Sequence, residues 1–154
     1  MHKRKSMAME IQIAFQTETP EIQRRRIEKA LERILEDLGC HDRELSILLT
    51  SDDRIAELND QYLGRKGPTN VLAFPMVDPR EEVPVSPMLG DVVISLDTAA
   101  KESRESGESF EKTVCRLLIH GILHLLGFDH ERTEDARRME KEELRLRKLI
   151  EEEG

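Results

Sequence analysis

The chain has 154 residues, the length of one ordinary domain, and its 32 acidic against 24 basic residues give a formal net charge of −8. This acidic balance argues against nucleic-acid binding through bulk positive charge. Four Phe, one Tyr and no Trp argue against a broad surface of stacking aromatic rings. We predict a single domain over residues 1–154, with residues 1–9 as a loose N-terminal extension.

The cysteines and the hydropathy pattern bear on location. Cys40 and Cys115 lie far apart and form no C-x-x-C pair, which suits a reducing compartment and predicts two buried thiols. The basic start at Met1 to Lys5 is not followed by the apolar run of a signal peptide, and no stretch is apolar enough to span a membrane. We therefore expect a cytoplasmic protein without a membrane segment. We also expect no nucleotide cofactor.

The first half of the chain alternates between strand and helix patterns. Apolar residues with a period of two predict strands, and apolar residues at helical spacing predict amphipathic helices. The predicted elements are a strand over Glu10–Phe15, a helix over Glu21–Leu38 that stops at Gly39, a strand over Leu45–Leu49, and a helix from the Ser51–Asp53 cap through Tyr62.

The second half is mainly helical. It contains predicted strands over Asn70–Phe74 and Leu89–Leu96, a long loop with Pro79, Pro84 and Pro87 between them, and helices over Asp97–Ser106, Phe110–Leu126 and Thr133–Ile150. Four strands among about five helices predict an α+β fold in which the helices pack on a small mixed sheet.

Three of the five histidines fall within eleven residues. His120 and His124 lie four apart on a predicted helix, so both side chains project from one face. Gly127 can end that helix in the left-handed conformation and turn the chain so that His130 approaches the same point. Three neutral imidazoles suit one Zn²⁺ per chain and leave a coordination position for water. The alternative is that these histidines are core residues with hydrogen-bond partners, or cations at a helix end.

The spacing H-x-x-x-H-x-x-G-x-x-H is that of the zinc sites of metzincin peptidases. Those enzymes carry a glutamate general base directly after the first histidine, where this chain has Gly121, which cannot move a proton. Ordinary peptidase chemistry is therefore disfavoured. A glycine inside a helix also indicates that something needs the space, which leaves open a bulky substrate group, a close strand or tight helix packing.

At these residues the chain resembles a known family. The segment His120-Gly121-Ile122-Leu123-His124-Leu125-Leu126-Gly127-Phe128-Asp129-His130 resembles the signature of the bacterial YbeY proteins, which are metal-dependent endoribonucleases. The resemblance extends to Leu58-Asn59 with Tyr62, to Pro68–Pro75, to Leu89–Ser95, and to Met139 and Glu143 in the last helix. It covers the last two thirds of the chain.

The resemblance implies a zinc ion bound by His120, His124 and His130 and a single-strand-specific endoribonuclease activity. It further implies late maturation of the 3′ end of 16S ribosomal RNA, a role in ribosome quality control, a cytoplasmic location, and association with ribosomal RNA and the small ribosomal subunit. The family usually has an arginine directly after the tyrosine, where this chain has Leu63.

Arg65 and Lys66 follow Leu63 within two and three positions and are candidates for binding substrate phosphates, Arg65 also for the role of the family arginine. The alternative is a pair of solvated loop charges. Asp129 is a candidate for orienting a ligand imidazole or for taking a proton, and the alternative is a turn or helix cap.

Two mechanisms of phosphodiester cleavage stay open, attack by a zinc-bound water and attack by the RNA 2′-hydroxyl. The identity of the general base is open as well. Two other functions also remain, a zinc-dependent hydrolase of peptides or small amides and a non-catalytic zinc-containing module of ribosome assembly.

The basic groups available for RNA are Lys3–Lys5, Arg24–Arg26, Arg65 with Lys66, and Arg137 with Arg138.

Overall fold

A computed structural model describes residues 10–17, 24–40, 42–76, 88–129 and 131–151. These residues form β1 (Glu10–Phe15), α1 (Arg24–Asp37), β2 (Glu44–Thr50), α2 (Asp52–Leu63), β3 (Val71–Pro75), β4 (Met88–Ser95), α3 (Leu96–Ser106), α4 (Phe110–Leu125) and α5 (Thr133–Glu151). Every predicted element is present, and β1 has the predicted bounds. The N-terminal extension, the predicted first turn of α1 and the proline-rich loop lie outside the described residues.

The four strands form one mixed sheet in the order β1-β2-β4-β3. β1 pairs with β2 and β2 with β4 in parallel, whereas β3 pairs with β4 in antiparallel orientation and forms one edge of the sheet. Parallel neighbours need crossover connections, which α1 and the segment from α2 to β3 supply. The predicted α+β fold with a four-stranded mixed sheet and five helices is confirmed.

Most element boundaries differ from the sequence prediction by one residue, and two of these differences have a clear physical reason. β3 begins at Val71 and includes Pro75, which stands opposite Gly90 at the end of the edge strand, where a missing N–H is tolerated. Leu96 belongs to α3, because the Ser95 hydroxyl accepts a hydrogen bond from the backbone N–H of Thr98 at 3.2 Å and caps the helix one residue earlier than predicted.

The strands separate two apolar clusters, one on each face of the sheet. The larger cluster packs α1, α4 and α5 against side chains that include Ile47 and Val92. The smaller one packs α2 against Leu72 and Val93 on the opposite face. Val92 and Val93 are sequence neighbours on different faces because side chains alternate along a strand. α2 and α4 therefore lie on opposite sides of the sheet.

Within the described part of the chain, we find no helix with the length and apolar character needed to cross a membrane.

α4 lies very close to the sheet at Gly121. A Cβ atom at this position would lie 2.7 Å from Val92 Cγ1 and 3.4 Å from Val71 Cγ2. The close approach of β4 thus accounts for the glycine and favours the close strand among the explanations that the sequence left open. The same contact sets how close α4 lies to the sheet, and with it the distance of the neighbouring His120 from the sheet.

Candidate metal centre and its surroundings

His120 and His124 stand together on the last two turns of α4. The helix begins at the Ser109 cap, whose hydroxyl accepts a hydrogen bond from the backbone N–H of Lys112 at 3.1 Å, and it ends at Leu125. The two imidazole rings have centroids 4.7 Å apart and planes inclined by 71°. Both side chains are partly exposed while the opposite helix face is buried. The two rings therefore lie side by side on one face of α4.

The chain leaves α4 directly after His124. Gly127 has a φ of 98°, and its N–H donates to the carbonyl of His124 at 3.0 Å. The N–H of Phe128 donates to the carbonyl of Leu123 at 3.0 Å, which completes a left-handed helix end of the kind predicted at Gly127. His130 lies outside the described residues, so the third predicted ligand stays a prediction.

Among the described residues alone, no three His, Cys, Asp or Glu side chains are grouped closely enough to hold a metal ion. The two histidines supply two nitrogen donors of the type that Zn²⁺ accepts, at the i, i+4 spacing typical of helical zinc ligands. The donor chemistry of the described pair therefore fits a zinc site that needs a further ligand.

A carboxylate from α5 contacts the first histidine. Oε2 of Glu143 lies 2.6 Å from Nδ1 of His120. Glu143 follows Met139 by four residues and precedes Leu146 by three, so it shares a helix face with these two buried side chains and faces α4. The sequence analysis noted Glu143 only through the family resemblance. An acidic residue on the apolar stripe of an amphipathic helix is the signal that would have indicated a buried partner.

A polar network lies one helical turn before the histidines. Arg116 donates to Oε1 of Glu102 on α3 at 2.7 Å, and Nδ2 of Asn70 donates to Oε2 of the same carboxylate at 2.9 Å. Glu102 thereby connects α4 to the residue that precedes edge strand β3. No sequence pattern predicts this network, because its members are far apart in the chain.

Asp129 makes a local hydrogen bond. Its Oδ1 accepts from the backbone N–H of Glu131 at 3.2 Å, as in a turn in which an Asp side chain binds the backbone two residues later. This contact agrees with the turn-forming alternative for Asp129. The carboxylate that contacts a predicted ligand among the described residues is that of Glu143.

Arg65 and Lys66 lie in the loop that follows α2. Both are exposed. The loop is held by Asn59, whose Nδ2 donates to the carbonyl of Gly67 at 3.0 Å and whose carbonyl accepts from the N–H of Arg65 at 3.3 Å. The helix from which this loop leaves, α2, packs on the sheet face opposite α4.

Several of the other described basic groups are paired with acids. A cavity of about 500 Å³ between α1, α4 and α5 is lined by basic side chains from all three helices, namely Arg26, Lys29, Arg33, Lys112, Arg116 and Arg147. Arg26 pairs with Glu111 at 3.2 Å, and Arg147 pairs with Glu108. His120 and His124 are not among the residues that line this cavity. The clustering of basic residues is thus offset by neighbouring carboxylates.

The comparisons with known proteins agree with one another. The family model described as Endoribonuclease YbeY matches residues 12–151. Proteins named Endoribonuclease YbeY from Syntrophotalea carbinolica and Geobacter metallireducens are 51% and 45% identical to this chain, over 82% and 95% of its length and 86% and 99% of theirs. The solution structure of TM1509 from Thermotoga maritima matches with a TM-score of 0.65 and 27% identity, over 93% of this chain and 90% of that one. The chain therefore belongs to the YbeY endoribonuclease family.

Proposed function

We propose that this chain is a zinc-dependent endoribonuclease specific for single-stranded RNA, which acts in late maturation of the 3′ end of 16S ribosomal RNA and in ribosome quality control. The observation that carries the proposal is the pair of adjacent imidazoles at the end of α4, with ring centroids 4.7 Å apart, in a member of a family of endoribonucleases. Family membership supports the nuclease class, and the histidine pair supports metal dependence.

The metal ligands in this proposal are His120, His124 and His130, with one zinc ion per chain. The left-handed turn at Gly127 supports the third ligand, since it reverses the chain three residues before His130. A zinc ion bound there supplies a Lewis acid for phosphodiester cleavage. The side chains of α4 contribute orientation, because the close contact of Gly121 with Val92 sets the helix at a fixed depth on the sheet.

The remaining roles in this proposal are assigned to Arg65, Lys66 and Asp129. Arg65 and Lys66 bind phosphate oxygens of the substrate strand from the loop after α2, and the Asn59 hydrogen bonds support this by holding the loop. Asp129, directly before His130, is the candidate for holding or moving a proton near the ligands. Metzincin peptidases use a glutamate directly after the first histidine as the proton acceptor, and this chain has Gly121 there. This difference disfavours a peptide as substrate and favours a phosphodiester.

The proposed partners are ribosomal RNA and the small ribosomal subunit, in the cytoplasm. The net charge of −8 and the ion pairs that occupy Arg26 and Arg147 support recognition by a few local cations together with a ribosomal surface, rather than by bulk electrostatic attraction.

The test combines elemental analysis with a nuclease assay on single-stranded RNA. The wild-type protein is expected to carry about one zinc per chain, and His120→Ala, His124→Ala and His130→Ala are each expected to lose both metal and activity. Unchanged metal content in all three variants would refute the metal site. Activity that persists in His124→Ala would trace to a contaminating nuclease or a different catalytic group, and activity on peptides or small amides alone would replace the proposed substrate.

A further inference from the structure

We propose that Glu143 is a positioning residue of the metal site, whose carboxylate accepts a hydrogen bond from Nδ1–H of His120 and so leaves Nε2 of that ring for the ion. The inference rests on the proposed zinc site, of which His120 is a member. It adds a residue of α5, which lies beyond the three-histidine motif in the sequence.

For a neutral His120 beside an ionised Glu143, the contact requires the ring proton to lie on Nδ1. The 2.6 Å separation between Nδ1 and Oε2 is that of a close hydrogen bond to a charged group. An ionised carboxylate only accepts hydrogen bonds, and a neutral imidazole has one N–H and one lone-pair nitrogen. The proton of neutral His120 therefore resides on Nδ1, and the lone pair that a metal requires resides on Nε2.

The position of Glu143 in the fold suits this role. Its neighbours on the same face of α5, Met139 and Leu146, are 2% and 0% exposed, so the helix is anchored on both sides of the carboxylate. The side chains of His120 and Glu143 are themselves only 32% and 25% exposed. A carboxylate placed at such an interface loses hydration, which the bond to His120 compensates.

One turn further along α5, Arg147 binds Glu108, which precedes α4. This ion pair connects α5 to the residues before α4, and the two buried side chains belong to the apolar cluster that also contains the buried face of α4. The packing of two helices, and not a loop, therefore positions Glu143 beside His120. A positioning group on a rigid element holds an imidazole more exactly than one on a loop does.

The contact also distinguishes a positioning role from a role as general base. Glu143 lies at Nδ1, whereas a zinc ion held by His120 would bind at Nε2, on the other side of the ring. The carboxylate is therefore placed to set the tautomer and the rotation of the ring. Loss of such a partner typically lowers metal affinity roughly 10- to 100-fold while the ligands themselves remain.

The experiment compares Glu143→Ala and Glu143→Gln with Glu140→Gln, a control on the exposed side of the same helix. Zinc dissociation constants are measured by competition with a chelator, and the tautomer of His120 in the metal-free protein is read from ¹⁵N chemical shifts of its ring. Circular dichroism establishes that each variant is folded. If Glu143→Ala does not fold, the nearly isosteric Glu143→Gln carries the test.

We expect Nδ1–H at His120 in the wild type, a shift toward the other tautomer in Glu143→Ala, and zinc affinity roughly 10- to 100-fold lower in that variant. Glu143→Gln keeps an acceptor oxygen without the charge and should lose less, and Glu140→Gln should match the wild type. Unchanged tautomer and zinc affinity in both Glu143 variants would overturn the inference, even with loss of nuclease activity. A wild-type chain that binds no zinc would instead refute the proposed function.

Discussion

Replacing Gly121 by alanine tests the close packing of α4 on β4. In a helix with free space around it, alanine is more favourable than glycine by about 1 kcal/mol. Here the new Cβ would lie 2.7 Å from Val92 Cγ1 and 3.2 Å from Val92 Cγ2. Since carbon atoms pack optimally at about 3.5–4.0 Å, the helix or the valine must move by nearly an ångström.

Val92 has little freedom to move. It is 0% exposed, lies in β4 between two paired strands, and has a branched side chain with restricted χ1. Overpacking of this kind costs about 1–3 kcal/mol, which exceeds the gain in helix propensity. We expect Gly121→Ala to lower the free energy of unfolding by about 1 kcal/mol, or Tm by about 2–4 °C.

The assay is urea unfolding followed by circular dichroism, with excess chelator present so that metal binding does not contribute to the stability. Val92→Ala and the double variant complete a cycle. In the Val92→Ala background, where the Cγ atoms are absent, Gly121→Ala should become stabilising, with a coupling energy of about 1–3 kcal/mol. A Gly121→Ala protein at least as stable as the wild type, or a coupling energy of zero, would refute the packing argument.

Two further predictions concern titrating groups. The hydrogen bond from Arg145 lowers the pKa of Asp37 from its ordinary value of 3.8, so the ion pair stabilises the fold above that pH and its contribution is lost as pH falls through the lowered pKa. Because the pair is partly exposed, Asp37→Asn should lower the free energy of unfolding at pH 7 by at most about 1 kcal/mol, measured by urea unfolding. A stability difference between variant and wild type that stays the same in acid would contradict this. Burial raises the pKa of Cys115 to about 11, with a smaller contribution from Glu111. The alkylation rate of Cys115, followed by peptide mass spectrometry, should rise about tenfold per pH unit up to pH 10. A rate that levels off near pH 9 would instead show a thiol with an ordinary pKa.

Much of the secondary structure follows from local pattern. The strand at Glu10–Phe15 was predicted with its exact bounds, because polar and apolar residues alternate there without interruption. Helix ends were predicted where side-chain caps or glycines mark them, as at Ser51 of α2 and at Gly127 after α4. The start of α3 was placed one residue late, since the cap at Ser95 is preceded by strand residues that give no local sign of a boundary.

The order of the strands did not follow from the sequence. Nothing local indicates that β4 enters between β2 and β3, because this depends on which strands bury the most apolar surface against α4 and α2. The same insertion places Val92 under Gly121. The sequence left three explanations for that glycine, and only the contact between strand and helix selected one of them.

For the site, the sequence by itself determined the spacing of the histidines and the glycine that ends their helix, since both depend on the period of one helix and on one backbone conformation. Only the tertiary structure decided what surrounds them. Glu143 reaches His120 across 23 positions of sequence, and the loop of Arg65 begins on the opposite face of the sheet. Such contacts arise from how α4, α5 and α2 pack on the sheet, and no local sequence pattern encodes the distance between side chains on different elements.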